Sequence, residues 1–207
     1  MTTNDDPVLS NDVKKMDDKY ENPIDVFSYK LCEVVDPAFA SVKATPNHIT
    51  TISLIFGLLC VYYMIPKHKN NQLAFACYWL SFFFDCLDGY HARKHKMLSK
   101  VGDMYDHYSD MIKHILIYYM LYINLTKKRF IYFNSIVGIV FIGLLVQMGC
   151  QEKKYEEKIG STQAKCNSSY LGMFKLLCRD PDVVTKYSKF FGVGTITLIF
   201  SIFILLI

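Results

Sequence analysis

The sequence predicts an all-α fold, a polytopic transmembrane bundle of about five helices preceded by an amphipathic helix in the membrane interface, and three observations carry that prediction. Hydrophobic residues fill 52% of the 207 positions and charged residues only 20%, which is more apolar than an ordinary soluble domain. The apolar residues gather into five blocks nearly free of charge, at 48–65, 72–84, 111–126, 130–150 and 190–207. Seventeen of the 23 lysines and arginines fall in the segments that alternate crossings would place on one side, as the positive-inside bias requires of a membrane protein.

Positions 1–21 mix Asp, Asn, Lys and Thr with few large apolar residues, the composition of a disordered tail. They contain no apolar core of signal-peptide type, so the first membrane helix is expected to serve as the targeting signal. Asn22-Pro23 reads as an N-cap followed by a first-turn proline. From there Ile24, Phe27, Leu31, Val34 and Val35 recur at helical spacing until Asp36-Pro37 breaks the pattern. The segment 22–44 is therefore expected as an amphipathic juxtamembrane helix; a helix packed on the rest of the protein fits the same periodicity.

The membrane domain follows at 45–207. At about 1.5 Å per residue, blocks 48–65, 130–150 and 190–207 can cross a hydrocarbon core about 30 Å thick. Block 72–84 reaches that length only by running on through Asp85 and Asp88, and block 111–126 only by starting near Asp106. Carboxylates at membrane depth are costly, so they are expected to face a polar cavity and to mark function. The charge bias places the N-terminus, the loop carrying Arg93 and the basic segment 151–189, with Lys153, Lys154, Lys158 and Lys165, in the cytoplasm. Endoplasmic reticulum and plasma membrane fit equally. The apolar stretch 170–178 contains Lys175 and reads as an interfacial helix rather than a sixth span.

The seven cysteines, Cys32, Cys60, Cys77, Cys86, Cys150, Cys166 and Cys178, include no Cys-x-x-Cys pair. They are expected as structural thiols packing like small hydrophobes.

The chemistry concentrates between helices two and three. There the chain reads Asp85-Cys-Leu-Asp88-Gly89-Tyr-His-Ala92-Arg93, then eight residues, Gly102, three residues, Asp106, three residues and Asp110. At about 100° per residue, Asp85, Asp88, Gly89, Ala92 and Arg93 share one helix face, as do Gly102, Asp106 and Asp110. Four carboxylates in a poorly solvated site repel one another unless cations compensate. Hard oxygen ligands suit Mg²⁺, Mn²⁺ or Ca²⁺. Gly89, Ala92 and Gly102 leave space for close helix approach or for a ligand, and Arg93 offers a forked donor set to phosphate.

These residues resemble the signature of the CDP-alcohol phosphatidyltransferases of phospholipid synthesis, D-x2-D-G-x2-A-R-x8-G-x3-D-x3-D, and match every fixed position of it. The resemblance implies transfer of a phosphatidyl or phosphoaminoalcohol group from a CDP-linked donor to a hydroxyl acceptor, with release of CMP. It implies that Asp85, Asp88 and Asp106 hold Mg²⁺ or Mn²⁺ at the donor pyrophosphate. Asp110 would be the catalytic base for the acceptor hydroxyl and touch the metal as well. Asp88, Gly89, Ala92, Arg93 and Gly102 would border the nucleotide.

Weaker resemblance extends to Thr45-Pro46-Asn47-His48-Ile49-Thr50, similar to the family's approach to helix 1 and marking Asn47 and Thr50 as site neighbours; a plain helix start reads the same way. His107 after Asp106 resembles the Asp-His pair of choline and ethanolamine phosphotransferases, whereas the chain length resembles phosphatidylinositol or phosphatidylglycerophosphate synthases. Asp103 and His91 read as bystanders. The family implies six membrane helices where five are found here, and a homodimer among membrane lipids with no nucleic-acid partner. A membrane metal carrier and a catalytically inactive structural relative are the competing readings. A cation pathway has no evident need of Arg93 beside its carboxylates.

Overall fold

The computed structural model describes residues 21–159, 178 and 180–207. Among them are seven α-helices and no strand: α1 (Pro23–Ser41), α2 (Pro46–Met64), α3 (Asn71–Lys94), α4 (Lys100–Asn124), α5 (Lys127–Ile159), α6 (Pro181–Ser188) and α7 (Val193–Leu205). The tail at 1–20, Lys165, Cys166 and positions 170–177 of the interfacial stretch lie outside the described residues, as do the side chains of Lys154 and Lys158.

Asn22 caps α1 as its sequence suggests, its Oδ1 accepting from the Ile24 N–H at 2.9 Å. Asp36-Pro37 does not end the helix, however, and Pro37 lies inside it. The stop comes at Lys43, whose φ of 53° is left-handed. The Lys43 and Ala44 N–H groups return to the carbonyls of Ala40 and Phe39, each at 3.0 Å, the bond pair of a Schellman motif. The apolar stripe of α1 packs on the protein only in part, at the half-buried Ile24 and Val35. Ser28, Cys32 and Asp36, one turn apart, face inward, while Phe27, Leu31 and Val34 are exposed.

The α3–α4 connection repeats the device. Lys96 has φ 55°, Met97 N–H bonds Ala92 O at 2.8 Å, and Ser99 then caps α4 by accepting from Gly102 N–H at 3.0 Å. The tight turn sends α4 back along the bundle, so the end of α3 and the start of α4 meet. Helix α2 packs along both α3 and α4. Its close approach depends on Gly57, where an added Cβ would come within 3.0 Å of Lys113 Cβ and 3.3 Å of Ser81 Oγ. Gly57→Ala is expected to force α2 away from α4 and cost about 1–3 kcal/mol, read as a lowered thermal midpoint in detergent.

The main core, with Cys60, Met64, Tyr78, Ile117, Leu121, Phe133, Phe200 and Ile204, draws on α2, α3, α4, α5 and α7. Those from α2, α3 and α4 come from the end of α2, the start of α3 and the end of α4. Apolar packing therefore occupies one half of the bundle and leaves the other half to the aspartates. A smaller cluster of Cys32, Ile49, Leu87 and Tyr90 holds α1 to α2 and α3.

Among the described residues, three stretches are long and apolar enough to cross a membrane: Pro46–Met64, Lys127–Cys150 and Val183–Leu205. Exposed Ile131, Ile136, Ile139 and Ile142 run along the second of them, where lipid rather than water suits them. Helices α3 and α4 have the length, at 24 and 25 residues, but their aspartates, Arg93, Lys94 and Lys113 lower their hydropathy. The final apolar block is not one helix. A 3-10 turn at Lys189–Phe191 and Gly192 precede α7, and Phe191 packs where a side chain on Gly143 of α5 would stand.

One cysteine expectation is overturned, since Cys150 and Cys178 form a disulfide across 28 residues. Helices α5 and α6 pack together, which brings the two cysteines into reach; neither local spacing nor an apolar neighbourhood signals such closure. Cys32, Cys60 and Cys77 are the buried free thiols expected.

Candidate active site

Helix α3 delivers Asp85, Asp88, Gly89, Ala92 and Arg93, and α4 delivers Gly102, Asp106 and Asp110. Carboxylate oxygens of Asp85, Asp88 and Asp106 all lie within 4.8 Å of one another. The hydroxyl of Thr50, on α2, donates to Asp88 Oδ2 at 2.6 Å in a buried hydrogen bond, so the expectation that Thr50 neighbours the site is met. Asp106 Oδ1 is buried without a hydrogen-bond partner among the described residues. Three hard oxygen donors, one of them lacking any partner, fit a divalent cation such as Mg²⁺ or Mn²⁺.

Asp110 stands outside that group of three. Its Oδ1 lies 2.6 Å from Lys113 Nζ, one turn further along α4. The same ammonium lies 2.8 Å from Asp85 Oδ1 and donates to Ser53 Oγ at 2.8 Å. Ser53 and Ser81 exchange hydroxyl-to-carbonyl bonds, each at 2.9 Å, across the α2–α3 interface. Lys113, Ser53 and Ser81 are absent from the sequence expectations. The available signal was Lys113 itself, a lone ammonium in an apolar run, which requires a nearby partner.

Two cavities meet at these residues. The first, about 400 Å³, is lined by Asn47, Thr50, Asp88, Gly89, Ala92, Arg93, Gly102, Asp103 and Asp106. Its glycines have local reasons: a Cβ on Gly102 would stand 3.2 Å from Asn47 Oδ1, and one on Gly89 3.2 Å from an Arg93 guanidinium nitrogen. The second, about 340 Å³, has Glu21, Asp25, Tyr29, Asp85, Gln147 and Val193 in its wall. Asp88, Gly89, Arg93 and Asp106 border both, so carboxylates and guanidinium stand where two ligands could meet. Asp110 lines neither.

The second cavity is acidic on its α1 side. Burial, with the Glu21 charge beside it, pushes Asp25 up to about 7, against the Gly194 N–H that favours its carboxylate. Burial likewise pushes the Tyr29 phenol up to about 12 despite the opposing charge of Arg93, whose guanidinium lies 5.9 Å from the Tyr29 ring centre.

A second group, Asp36, His91 and His95, also places three potential ligand atoms within 4.8 Å. Here the oxygens already have partners: Asp36 is 2.6 Å from His91 Nδ1, 2.9 Å from Lys94 Nζ and 3.1 Å from His95 Nε2. Lys94 supplies the positive charge, and the network ties α1 to the end of α3. His91 is thus a packed residue, as its bystander reading holds. His107 is exposed and lines neither cavity, while Asp103 lines the first.

Burial works against the Asp36 carboxylate, but hydrogen bonds from Lys94, His91 and His95 prevail and hold it below the ordinary 3.8. Its stabilising contribution is therefore complete above that value and is lost as pH falls through the lowered native one. Asp36→Asn is expected to cost about 2 kcal/mol and to flatten this acid limb, read as α1 proteolysis against pH.

Comparison with family models matches residues 43–207 to one described as CDP-alcohol phosphatidyltransferase. Comparison with curated proteins and with solved structures returns no match.

Proposed function

The chain belongs to the CDP-alcohol phosphatidyltransferase family, and from that membership we propose that it transfers a phosphatidyl or phosphoaminoalcohol group from a CDP-linked donor to an acceptor hydroxyl in the membrane. The observation that carries this reading is the three-aspartate group standing where two cavities meet. The CDP end of the donor occupies the cavity bordered by Gly89, Ala92, Arg93 and Gly102, where missing side chains leave room and Arg93 offers paired N–H donors to the pyrophosphate. The acceptor enters the cavity walled by Tyr29, Asp85 and Gln147.

In the reaction, the acceptor oxygen forms a bond to the donor phosphorus that carries the alcohol, and the bond from that phosphorus to CMP breaks. Asp110, beside Asp85 of the acceptor cavity wall, would take the hydroxyl proton by turning toward that cavity, since an alcohol needs a positioned base at neutral pH. Asp85, Asp88 and Asp106 would hold Mg²⁺ or Mn²⁺, which when bound offsets charge on the pyrophosphate and the departing CMP. Thr50 keeps the Asp88 carboxylate oriented by its hydrogen bond. Incubation of the purified chain and Mg²⁺ or Mn²⁺ with CDP-diacylglycerol or CDP-choline and a panel of acceptors should release CMP. Absence of CMP with every pair would sink the proposal.

Five crossings follow if α3 and α4 span as well, with α1 in the interface and its exposed Phe27, Leu31 and Val34 toward lipid. The charge bias puts the aspartates on the cytoplasmic side. The Cys150–Cys178 disulfide pulls the other way, because such bonds are rare in reducing compartments. An epitope inserted at Lys67–Lys69 is expected on the non-cytoplasmic face; cytoplasmic labelling would reverse the orientation.

A further inference from the structure

We propose that Lys113 is a built-in second cation of the aspartate site, so that the four aspartates hold one divalent ion, on Asp85, Asp88 and Asp106, with the ammonium in place of another between Asp85 and Asp110. This inference rests on the metal reading above and adds the stoichiometry of the site and a residue outside the eight-position signature.

Geometry carries it. The ammonium lies 2.8 Å from Asp85 Oδ1 and 2.6 Å from Asp110 Oδ1, bridging carboxylates that α3 and α4 supply separately. It does not reach them from solvent: Lys113 is buried, 3% exposed. Its third contact, Ser53 Oγ at 2.8 Å, belongs to a hydroxyl fixed by the reciprocal Ser53–Ser81 pair. Gly57 admits the lysine stem against α2, with no side chain of its own to oppose Lys113 Cβ. The ammonium is thus held from three helices, as a bound ion would be. The oxygens gathered within 4.8 Å are those of Asp85, Asp88 and Asp106; of the two aspartate oxygens buried without a hydrogen bond among the described residues, Asp106 Oδ1 and Asp110 Oδ1, the second faces the ammonium at 2.6 Å and the first is left for an ion.

Charge agrees with this division. Four carboxylates crowded into a poorly solvated site need compensation. One ammonium and one divalent ion offset three of the four charges, leaving Arg93 for the donor phosphates. A surface lysine would be displaced by a divalent ion at little cost, because exposed ion pairs are weak. A buried ammonium cannot leave without carrying its charge into apolar surroundings.

The test is a Mn²⁺ titration of the full-length protein in detergent, followed by the electron paramagnetic resonance signal of free Mn²⁺ in the absence of nucleotide. The unaltered chain is expected to bind one Mn²⁺, Lys113→Arg one, and Lys113→Gln two, the second on the vacated Asp85–Asp110 pair. Two ions on the unaltered chain, or one on a folded Lys113→Gln variant, would overturn the proposal. Should Lys113→Gln fail to fold, the unaltered chain decides by itself: one ion supports the inference, two or none removes it. CMP release measured on the same preparation separates the two readings. One bound Mn²⁺ without CMP release keeps the resident cation and sinks the transferase proposal.

Discussion

Asp110→Asn is expected to slow CMP release by roughly a hundredfold to ten-thousandfold, the range of a lost general base. Binding should change far less. Asp110 lies outside the group formed by Asp85, Asp88 and Asp106 and lines neither cavity, so Mn²⁺ affinity and the KM for the CDP donor should stay within a few-fold of the unaltered chain. The loss is thus expected in kcat alone, the signature of a group needed only as the proton moves. The amide can still face Lys113 through its oxygen, so the fold should survive, checked by an unchanged thermal midpoint. CMP release equal to that of the unaltered chain would remove Asp110 from the chemistry.

Asp88→Asn should have the opposite profile, with metal affinity falling first and activity following. Asp88 borders both cavities and supplies one of the three clustered carboxylates. Removing an outer partner of a metal ligand typically weakens affinity about 10–100-fold. Losing the charge of a ligand itself should cost at least about 100-fold in Mn²⁺ affinity and leave CMP release undetectable at ordinary Mn²⁺ concentrations. Thr50→Val is the internal scale, because it deletes only the hydroxyl that donates to Asp88 at 2.6 Å and belongs in the milder range. If Asp88→Asn bound Mn²⁺ as tightly as the unaltered chain, the ion would have to sit elsewhere.

Both arguments rest on a part of the molecule that was legible in the sequence. Spacing alone put Asp85, Asp88 and Arg93 on one helix face and Asp106 and Asp110 on another, and the α3–α4 turn brings Asp85, Asp88 and Asp106 together. Local capping chemistry was equally readable at Asn22, because a cap depends on residues within one turn of it. What stayed hidden depends on neighbours distant in the chain. Lys113 looks like an intrusion into an apolar block until Ser53 and Asp85 are beside it, and the Cys150–Cys178 bond needs the α5–α6 packing. Helix α1 departs from its sequence reading at one point. Pro37 continues it and the stop comes at Lys43, while its inward face joins the polar Asp36, tied to His91, Lys94 and His95, to Cys32 and Val35 of an apolar cluster, partners the sequence does not reveal.

The cap of α1 also has a consequence for the order in which the protein is assembled. While Asn22 Oδ1 caps its own helix, its Nδ2 donates to Lys189 O at 3.0 Å and to Thr195 Oγ1 at 2.8 Å, and Gly194 leaves room for Ile24 against the start of α7. These partners are 167 and 173 residues downstream. During synthesis α1 can form early and settle on α2 and α3, but the seat of its Asn22 end does not exist until the chain around Thr195 has left the ribosome. The wall of the second cavity that joins Asp25 to Gly192 and Val193 is therefore among the last parts of the protein to close, and a chain interrupted before α7 would carry its aspartates in an open half-site.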